Sequence, residues 1–171
     1  MNSELIRKDF PILETKVNGY PVVYFDNGAT TQRPLPVMRA VMDYVTRNNG
    51  NPHRGAHIFA MSASEAYDTS KTVVKDFIGA KSEKEIIYTR NTSESLNLVA
   101  RSYGETHLKE GDRILIPVSE HHSNLVPWQR AAKKTGAVLE YMYVDKETGH
   151  FPEEELKKIE LVINRIRMDM V

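Results

Sequence analysis

Apolar residues recur at helical spacing in the middle of the chain. In the sequence "SASE", Ser62 and Glu65 have the spacing of a capping box, and the apolar positions after them predict a helix that runs to about Phe77. The same spacing predicts a second helix over residues 96–103, and a shorter helix is predicted from about residue 36 to residue 47.

Short apolar runs separate these helices. The runs are "IIY", "RILIP", "VLEYMYV" and "LVI", and two further helices are predicted, one through Lys133 and one at "PEEELKKI". Runs that alternate with helices are typical of right-handed βαβ units, so we expect an α/β fold with a mostly parallel sheet flanked by helices. Residues 1–61, which are rich in Gly, Pro and Asn over 19–55, are expected to form an N-terminal arm beside a domain at 62–171.

The composition excludes several classes of protein. The 171-residue chain carries 23 Lys and Arg residues against 23 Asp and Glu residues, which makes nucleic acid a poor candidate partner. It contains no cysteine, so disulfides, thiolate metal sites and a thiol nucleophile are excluded from this sequence. No apolar run is long enough to cross a bilayer and the start "MNSELIRKDF" is unlike a secretion signal, so we expect a cytoplasmic protein without membrane contact.

Two polar loops, "TRNTSE" and "SEHHSN", follow predicted strands. Ligands of parallel sheets bind beyond the carboxyl ends of the strands, so both loops are expected to face one crevice. In the first loop, the hydroxyls of Thr92 and Ser93, together with free amides at a helix start, suit a phosphate group. Simple helix capping is also consistent, because Asn91 and Glu94 have the spacing of a capping box. The residues alone leave both interpretations open.

The histidine pair of the second loop, His121 and His122, has several possible roles. An imidazole can stack on an aromatic ligand, ligate a metal or transfer a proton, and a structural role for one histidine with the other solvated is equally consistent. A metal site would also recruit Glu120 together with His53 and His57, which are four residues apart. That alternative predicts a zinc- or manganese-dependent hydrolase.

Four motifs in order, "YFDNGATTQRP", "NPHRGAH", "TRNTSESLNLVA" and "EHHSNLVPWQ", closely resemble the successive signatures of pyridoxal-phosphate-dependent cysteine desulfurases. The resemblance is to the branch that supplies sulfur for iron–sulfur cluster assembly, alongside selenocysteine lyases, within the class V aminotransferase family. It extends from about Phe10 to Leu156. It implies the front part of a fold-type I enzyme, with a large and a smaller domain and an active site at a homodimer interface.

The resemblance also implies roles for individual residues. Thr92 and Ser93 match the hydroxyl pair that binds the cofactor's phosphate, and His122 matches the catalytic residue that stacks on the pyridine ring and assists proton transfer. Glu120 and His121 are expected to support this ring-binding shelf. Five residues correspond to the substrate side of the site: Asn27, Gly28, Ala29, His53 and Arg54. No metal ligand is implied, and Arg54 would either hold a substrate carboxylate or form a structural ion pair.

The implied reaction removes sulfur from L-cysteine, or selenium from L-selenocysteine, and gives L-alanine and a persulfide for a sulfur-acceptor protein. In the family, the aspartate at the pyridine nitrogen, the cofactor-binding lysine, the persulfide cysteine and the main substrate-binding arginine lie beyond the position of residue 171. We therefore expect an N-terminal portion of such an enzyme, as a fragment, a split-gene product or a frameshifted frame, that binds the cofactor weakly and is inactive alone. The alternative of a different class is a non-catalytic interaction or assembly remnant of the same fold.

The chain departs from the family pattern within the "TRNTSE" loop. Asn91 stands where glycine is usual, and asparagine tolerates a left-handed backbone better than most residues but is expected to crowd the phosphate. Ser93 replaces a common threonine. Ser95 replaces a common glycine inside the helix, and we expect this change to be harmless or slightly favourable.

Overall fold

The computed structural model describes residues 2–159, which divide into two compact units between Ile86 and Ile87. The first unit contains three α-helices and two short strands: α1 (Ser3–Arg7), β1 (Lys16–Val17), β2 (Tyr20–Pro21), α2 (Leu35–Asp43) and α3 (Ile58–Ile78). The second unit contains α4 (Thr92–Val99), α5 (Glu105–His107), β3 (Arg113–Pro117), α6 (His122–Thr135), β4 (Val138–Met142) and α7 (153–159). The predicted boundary between residues 61 and 62 stays a prediction.

In the second unit, β3, α6 and β4 form the βαβ unit that the sequence predicts. The two strands are parallel, with Arg113 opposite Val138 and Pro117 opposite Met142, and α6 packs against both strands. Helix α6 ends at Gly136, whose φ of 77° is the left-handed conformation that suits glycine at a helix end. The buried apolar residues of this unit are alanines or lie on the two strands: Ala100, Ile116, Ala131, Ala132 and Met142.

Two of the predicted strands, "IIY" and "LVI", are not among the strands that the structure shows. The strand predicted at "IIY" is wrong, because residues 86–89 form no strand and belong to neither of the two sheets within residues 2–159. Ile87 is accordingly 67% exposed. An apolar run becomes a strand only where a neighbouring strand takes up its backbone hydrogen bonds, and the run itself does not determine that neighbour. The run "LVI" lies outside the described residues.

Helix α3 begins at Ile58, which is earlier than predicted. His57 is its N-cap, since its Nδ1 atom accepts a hydrogen bond from the Ala60 amide at 3.4 Å. The predicted capping box of Ser62 and Glu65 is therefore wrong, and both residues lie inside the helix. A serine marks a helix start only where no earlier residue already caps the first amides.

A tight hairpin joins β1 and β2 within the segment that is predicted to form the N-terminal arm. Asn18 and Gly19 have φ values of 52° and 83°, and Val17 pairs with Tyr20 across the turn. Positive φ at both central residues is the geometry of a type I′ hairpin turn, for which Asn-Gly is the strongest sequence signal.

The helix predicted over residues 36–47 is confirmed as α2 followed by a wider turn at Tyr44–Asn48. The chain then passes close to α3, because a Cβ atom on Gly50 would lie 2.4 Å from the carbonyl oxygen of Phe59. The hydroxyl of Tyr44 donates to the Gly50 carbonyl at 3.1 Å and holds this approach. Only glycine fits here.

None of the helices within residues 2–159 combines the length and the apolar character that a membrane crossing requires.

Candidate functional site

The loop before α4 caps the helix through Asn91. Its Oδ1 atom accepts a hydrogen bond from the Glu94 amide at 2.9 Å, so the capping prediction is confirmed for this residue. The Glu94 carboxylate does not return to Asn91. It accepts from the Arg90 amide at 2.7 Å and from the Arg90 guanidinium at 3.2 Å. These hydrogen bonds lower the pKa of the Glu94 carboxyl below its ordinary value.

The capping of α4 leaves other donors of its first turn available. Thr92 and Ser93 are exposed, and within residues 2–159 neither their hydroxyls nor their amides have a hydrogen-bond partner. The positive end of the helix dipole lies at the same place. Because Glu94 is paired with Arg90, its charge does not oppose an anion there. Capping and phosphate binding are therefore compatible, since they use different donors, and the residues present fit a phosphate group.

Asn91 has an extended backbone with φ of −168°. Any residue can adopt this conformation, so the expected tolerance of asparagine for a left-handed backbone is not needed here. What suits asparagine to this position is instead its side chain, which caps the helix.

The second polar loop places His121 and His122 at the start of α6. His121 is the N-cap, because its Nδ1 atom accepts from the Ser123 amide at 3.1 Å and lies 3.0 Å from the Ser123 hydroxyl. The His122 ring is exposed, and its one ring contact within the described chain is with His121, edge to face at a centroid distance of 6.1 Å. One histidine is thus committed to structure, while the other is open to a ligand.

A chain of hydrogen bonds ties this loop to the body of α6. The Trp128 indole N–H donates to Asn124 at 3.1 Å, and the Asn124 amide donates to the Glu120 carboxylate at 3.0 Å. Sequence reasoning missed Asn124, although its position four residues from both Glu120 and Trp128 was the available signal. Helix α4 packs against α6 in the same unit. The starts of the two helices therefore belong to one packed body.

In the first unit, Asn27, Gly28 and Ala29 form a tight turn. The Ala29 amide donates to the Asp26 carbonyl at 3.1 Å. Sequence reasoning missed Tyr24, whose hydroxyl lies within hydrogen-bond distance of the carbonyl oxygens at both ends of the turn, those of Asp26 at 3.0 Å and Thr30 at 2.6 Å. An open, mainly apolar cleft of about 570 Å³ lies beside the turn and reaches Asn27.

His53 and Arg54 lie in the loop before α3. The His53 backbone has a left-handed φ of 57°, its amide donates to the Ser64 hydroxyl at 2.8 Å, and its Nε2 atom is 3.3 Å from the Asp68 carboxylate. Arg54 is exposed, and no carboxylate of residues 2–159 lies within ion-pair distance of its guanidinium. The alternative in which Arg54 forms a structural ion pair is therefore not realised in the described part of the chain.

His53 and His57 do not lie together on a helix. Both precede α3, where His57 caps the helix and His53 contacts Asp68. Among residues 2–159, no three or more acidic or histidine side chains come together as a metal site. The structure of residues 2–159 therefore does not support the metal-hydrolase alternative.

Comparison with known proteins places the chain in a family. Residues 23–164 match the aminotransferase class-V family model. A probable cysteine desulfurase of Synechocystis sp. is 48% identical over 161 residues, and one of Halalkalibacterium halodurans is 46% identical over 158 residues. The matches cover 92% of this chain but only 38% and 39% of those proteins. The chain thus spans less than two fifths of the length of these relatives and matches their N-terminal portion.

Solved structures agree with this placement. The apo structure of a cysteine desulfurase from Thermococcus onnurineus superposes with a TM-score of 0.80 at 43% identity, covering 92% of this chain and 38% of that one. A cysteine desulfurase from Escherichia coli gives a TM-score of 0.71 at 32% identity. The predicted fold, part of a fold-type I α/β enzyme, is confirmed, as is the family's cofactor, pyridoxal phosphate. The chain belongs to the class-V aminotransferase family, among the cysteine desulfurases.

Proposed function

We propose that this chain supplies the cofactor-holding part of a pyridoxal-phosphate-dependent cysteine desulfurase. The observation that carries the proposal is the start of α4, where Thr92 and Ser93 present unpartnered hydroxyls and amides. The exposed ring of His122 begins α6, which packs against α4. A phosphate group and a flat aromatic ring are the two parts of the cofactor that such residues recognise.

In this proposal each residue has a defined role. Thr92 and Ser93 hold the phosphate through charge-assisted hydrogen bonds. His122 covers the pyridine ring and exchanges a proton at its free ring nitrogen, while His121 and Glu120 keep the loop in place. When bound, the cofactor withdraws electrons from the α-carbon of an amino acid.

The substrate side of the proposal involves the first unit. The family likeness supports a substrate-pocket role for Asn27, Gly28 and Ala29 and a substrate-side role for His53 and Arg54, and the exposed Arg54 guanidinium is available for a carboxylate. The substrate is L-cysteine or L-selenocysteine and the product is L-alanine. Because the sequence contains no cysteine, the thiol that receives the sulfur belongs to residues outside it.

The wider setting of the protein also remains a proposal, supported by the family membership. We propose a homodimeric, cytoplasmic enzyme that passes sulfur to an acceptor protein for iron–sulfur cluster assembly. Within it, residues 1–61 form the N-terminal arm with the substrate-side loops, and residues 62–171 belong to the large cofactor-binding domain.

Trp128 provides a direct test, because it is the one tryptophan in the sequence and its indole lies on α6. Pyridoxal phosphate absorbs where tryptophan emits, so binding quenches the fluorescence. We expect quenching by pyridoxal phosphate at lower concentration than by pyridoxal, which lacks the phosphate. The combined Thr92→Ala and Ser93→Ala variant is expected to lose about tenfold or more in affinity for pyridoxal phosphate only. Ser102→Ala, which removes a hydroxyl elsewhere in the same unit, is the control.

The same titration separates the proposal from a non-catalytic remnant of the fold. A remnant that has lost cofactor binding would show equal, weak quenching by both compounds and no effect of the substitutions at α4. Borohydride treatment adds a second readout: we expect no lysine adduct at a single site in these 171 residues, because the family's lysine lies beyond them. One stoichiometric adduct here would contradict that assignment.

A further inference from the structure

Two half-buried hydroxyls lie behind the start of α4. Thr89 Oγ1 and Ser95 Oγ are 2.5 Å apart, and both are oriented toward the carbonyl oxygen of Asn91, at 3.3 Å and 3.4 Å. The Ser95 amide donates to the same oxygen at 3.2 Å. Three donor groups from two residues therefore converge on one carbonyl.

The protons available determine how this cluster is bonded. Each hydroxyl carries one proton, so only one of the two donates to Asn91 while the other donates to its neighbouring hydroxyl. The Ser95 amide takes the second lone pair of the carbonyl. Either arrangement saturates the Asn91 carbonyl, and the loss of one hydroxyl leaves the other free to donate directly.

The Asn91 carbonyl shares a peptide plane with the Thr92 amide. In a trans peptide the C=O and N–H groups point in opposite directions. A carbonyl held toward the body of α4 therefore directs the Thr92 N–H outward from the helix start, on the side where an anion binds.

We propose that Thr89 and Ser95 are positioning residues that hold the Asn91 carbonyl and thereby aim the Thr92 amide at the phosphate of the cofactor. This inference rests on the proposed function and extends it to two residues that do not touch the ligand. Preorganisation of this amide removes part of the ordering cost of binding.

The test is a double-mutant cycle with Thr89→Val and Ser95→Ala, measured on the whole chain by Trp128 fluorescence with pyridoxal phosphate and with pyridoxal. Each single variant is expected to lose no more than about twofold in affinity for pyridoxal phosphate, because the remaining hydroxyl bonds to Asn91 directly. The double variant is expected to lose about three- to tenfold, more than the product of the single effects. Affinity for pyridoxal stays unchanged in all three.

Ser102→Ala is the matched control, because the Ser102 hydroxyl also donates to a carbonyl four residues earlier, that of Leu98 at 2.6 Å. It should leave both affinities unchanged. As a readout independent of affinity, the amide resonance of Thr92 should shift on addition of pyridoxal phosphate, and this shift should decrease in the double variant.

The outcomes distinguish the two proposals. If the unaltered protein binds pyridoxal phosphate no better than pyridoxal, the phosphate site at α4 is wrong and this inference is wrong with it. If the unaltered protein prefers the phosphorylated compound and the double variant keeps the full preference, only the positioning role is overturned. If the double variant loses affinity for both ligands equally and its helix content falls, Thr89 and Ser95 have a purely structural role. That result would also overturn the positioning role.

Discussion

The indole nitrogen of Trp128 donates a hydrogen bond to the side-chain oxygen of Asn124, at 3.1 Å. The amide nitrogen of Asn124 donates in turn to Glu120, so one residue links the packed face of α6 to the loop that carries the histidine pair. The geometry of that loop therefore depends on a side chain inside the helix.

Replacement of Asn124 by Leu breaks both bonds while keeping a similar volume. We expect a loss of about 1 kcal/mol in the free energy of unfolding, since two polar groups lose their partners. The emission maximum of Trp128 should shift as well, because its N–H must find a new partner. Gln129→Leu is the control: it removes an exposed amide of the same helix, 3.3 Å from the Tyr141 hydroxyl, and should change stability much less. If Asn124→Leu and Gln129→Leu lowered the free energy of unfolding in urea by the same amount, the linking role of Asn124 would be contradicted.

Gly50 is predicted to accept no side chain. Gly50→Ala places a methyl group 2.4 Å from the Phe59 carbonyl oxygen, and the backbone must shift to relieve the contact. We expect a loss of about 1–3 kcal/mol in urea unfolding. Gly28→Ala is the matched control, because its Cβ would meet no atom within 4 Å and its φ is not left-handed. A Gly50→Ala protein as stable as the control would contradict the close approach.

The pairing of Glu94 with Arg90 predicts a pH dependence. Hydrogen bonds from Arg90 lower the pKa of Glu94 in the folded state, so the folded carboxylate binds its proton less readily than the unfolded one. The stability that the pair contributes is therefore present above the ordinary glutamate pKa of about 4.3 and is lost as the pH falls below it. The stability difference between the unaltered protein and Glu94→Gln should disappear in that range. Arg90→Gln should return the NMR-titrated pKa of Glu94 toward its ordinary value.

The start of α3 offers a test of two competing caps. His57→Ala removes the acceptor for the Ala60 amide and should cost about 0.5–1 kcal/mol in the free energy of unfolding. Ser62→Ala should have almost no effect, because Ser62 lies inside the helix and alanine is the better helix former. If Ser62→Ala lowered the melting temperature more than His57→Ala, Ser62 would be the cap, as the sequence predicts.

The elements that the sequence predicts well are those with local causes. The βαβ unit around α6 follows from apolar runs on either side of a helical pattern, and the Asn91 cap follows from its spacing to Glu94. The predictions that fail depend on a pairing strand or a capping residue that the local pattern does not identify. Residues 86–89 lack a neighbouring strand among those described, and His57 displaces Ser62 as a cap.

The candidate site shows the same division. The sequence by itself determined the family, the types of residue at the two strand-end loops and the phosphate-suited pair of Thr92 and Ser93, since these depend on residue identity and local spacing. Only the tertiary structure decided which donors stay free and which are used. The pairing of Glu94 with Arg90, and the convergence of Thr89 and Ser95 on the Asn91 carbonyl, depend on where side chains meet after the backbone has folded. A spacing limits which groups can meet, but the competition for each hydrogen bond is resolved only in three dimensions.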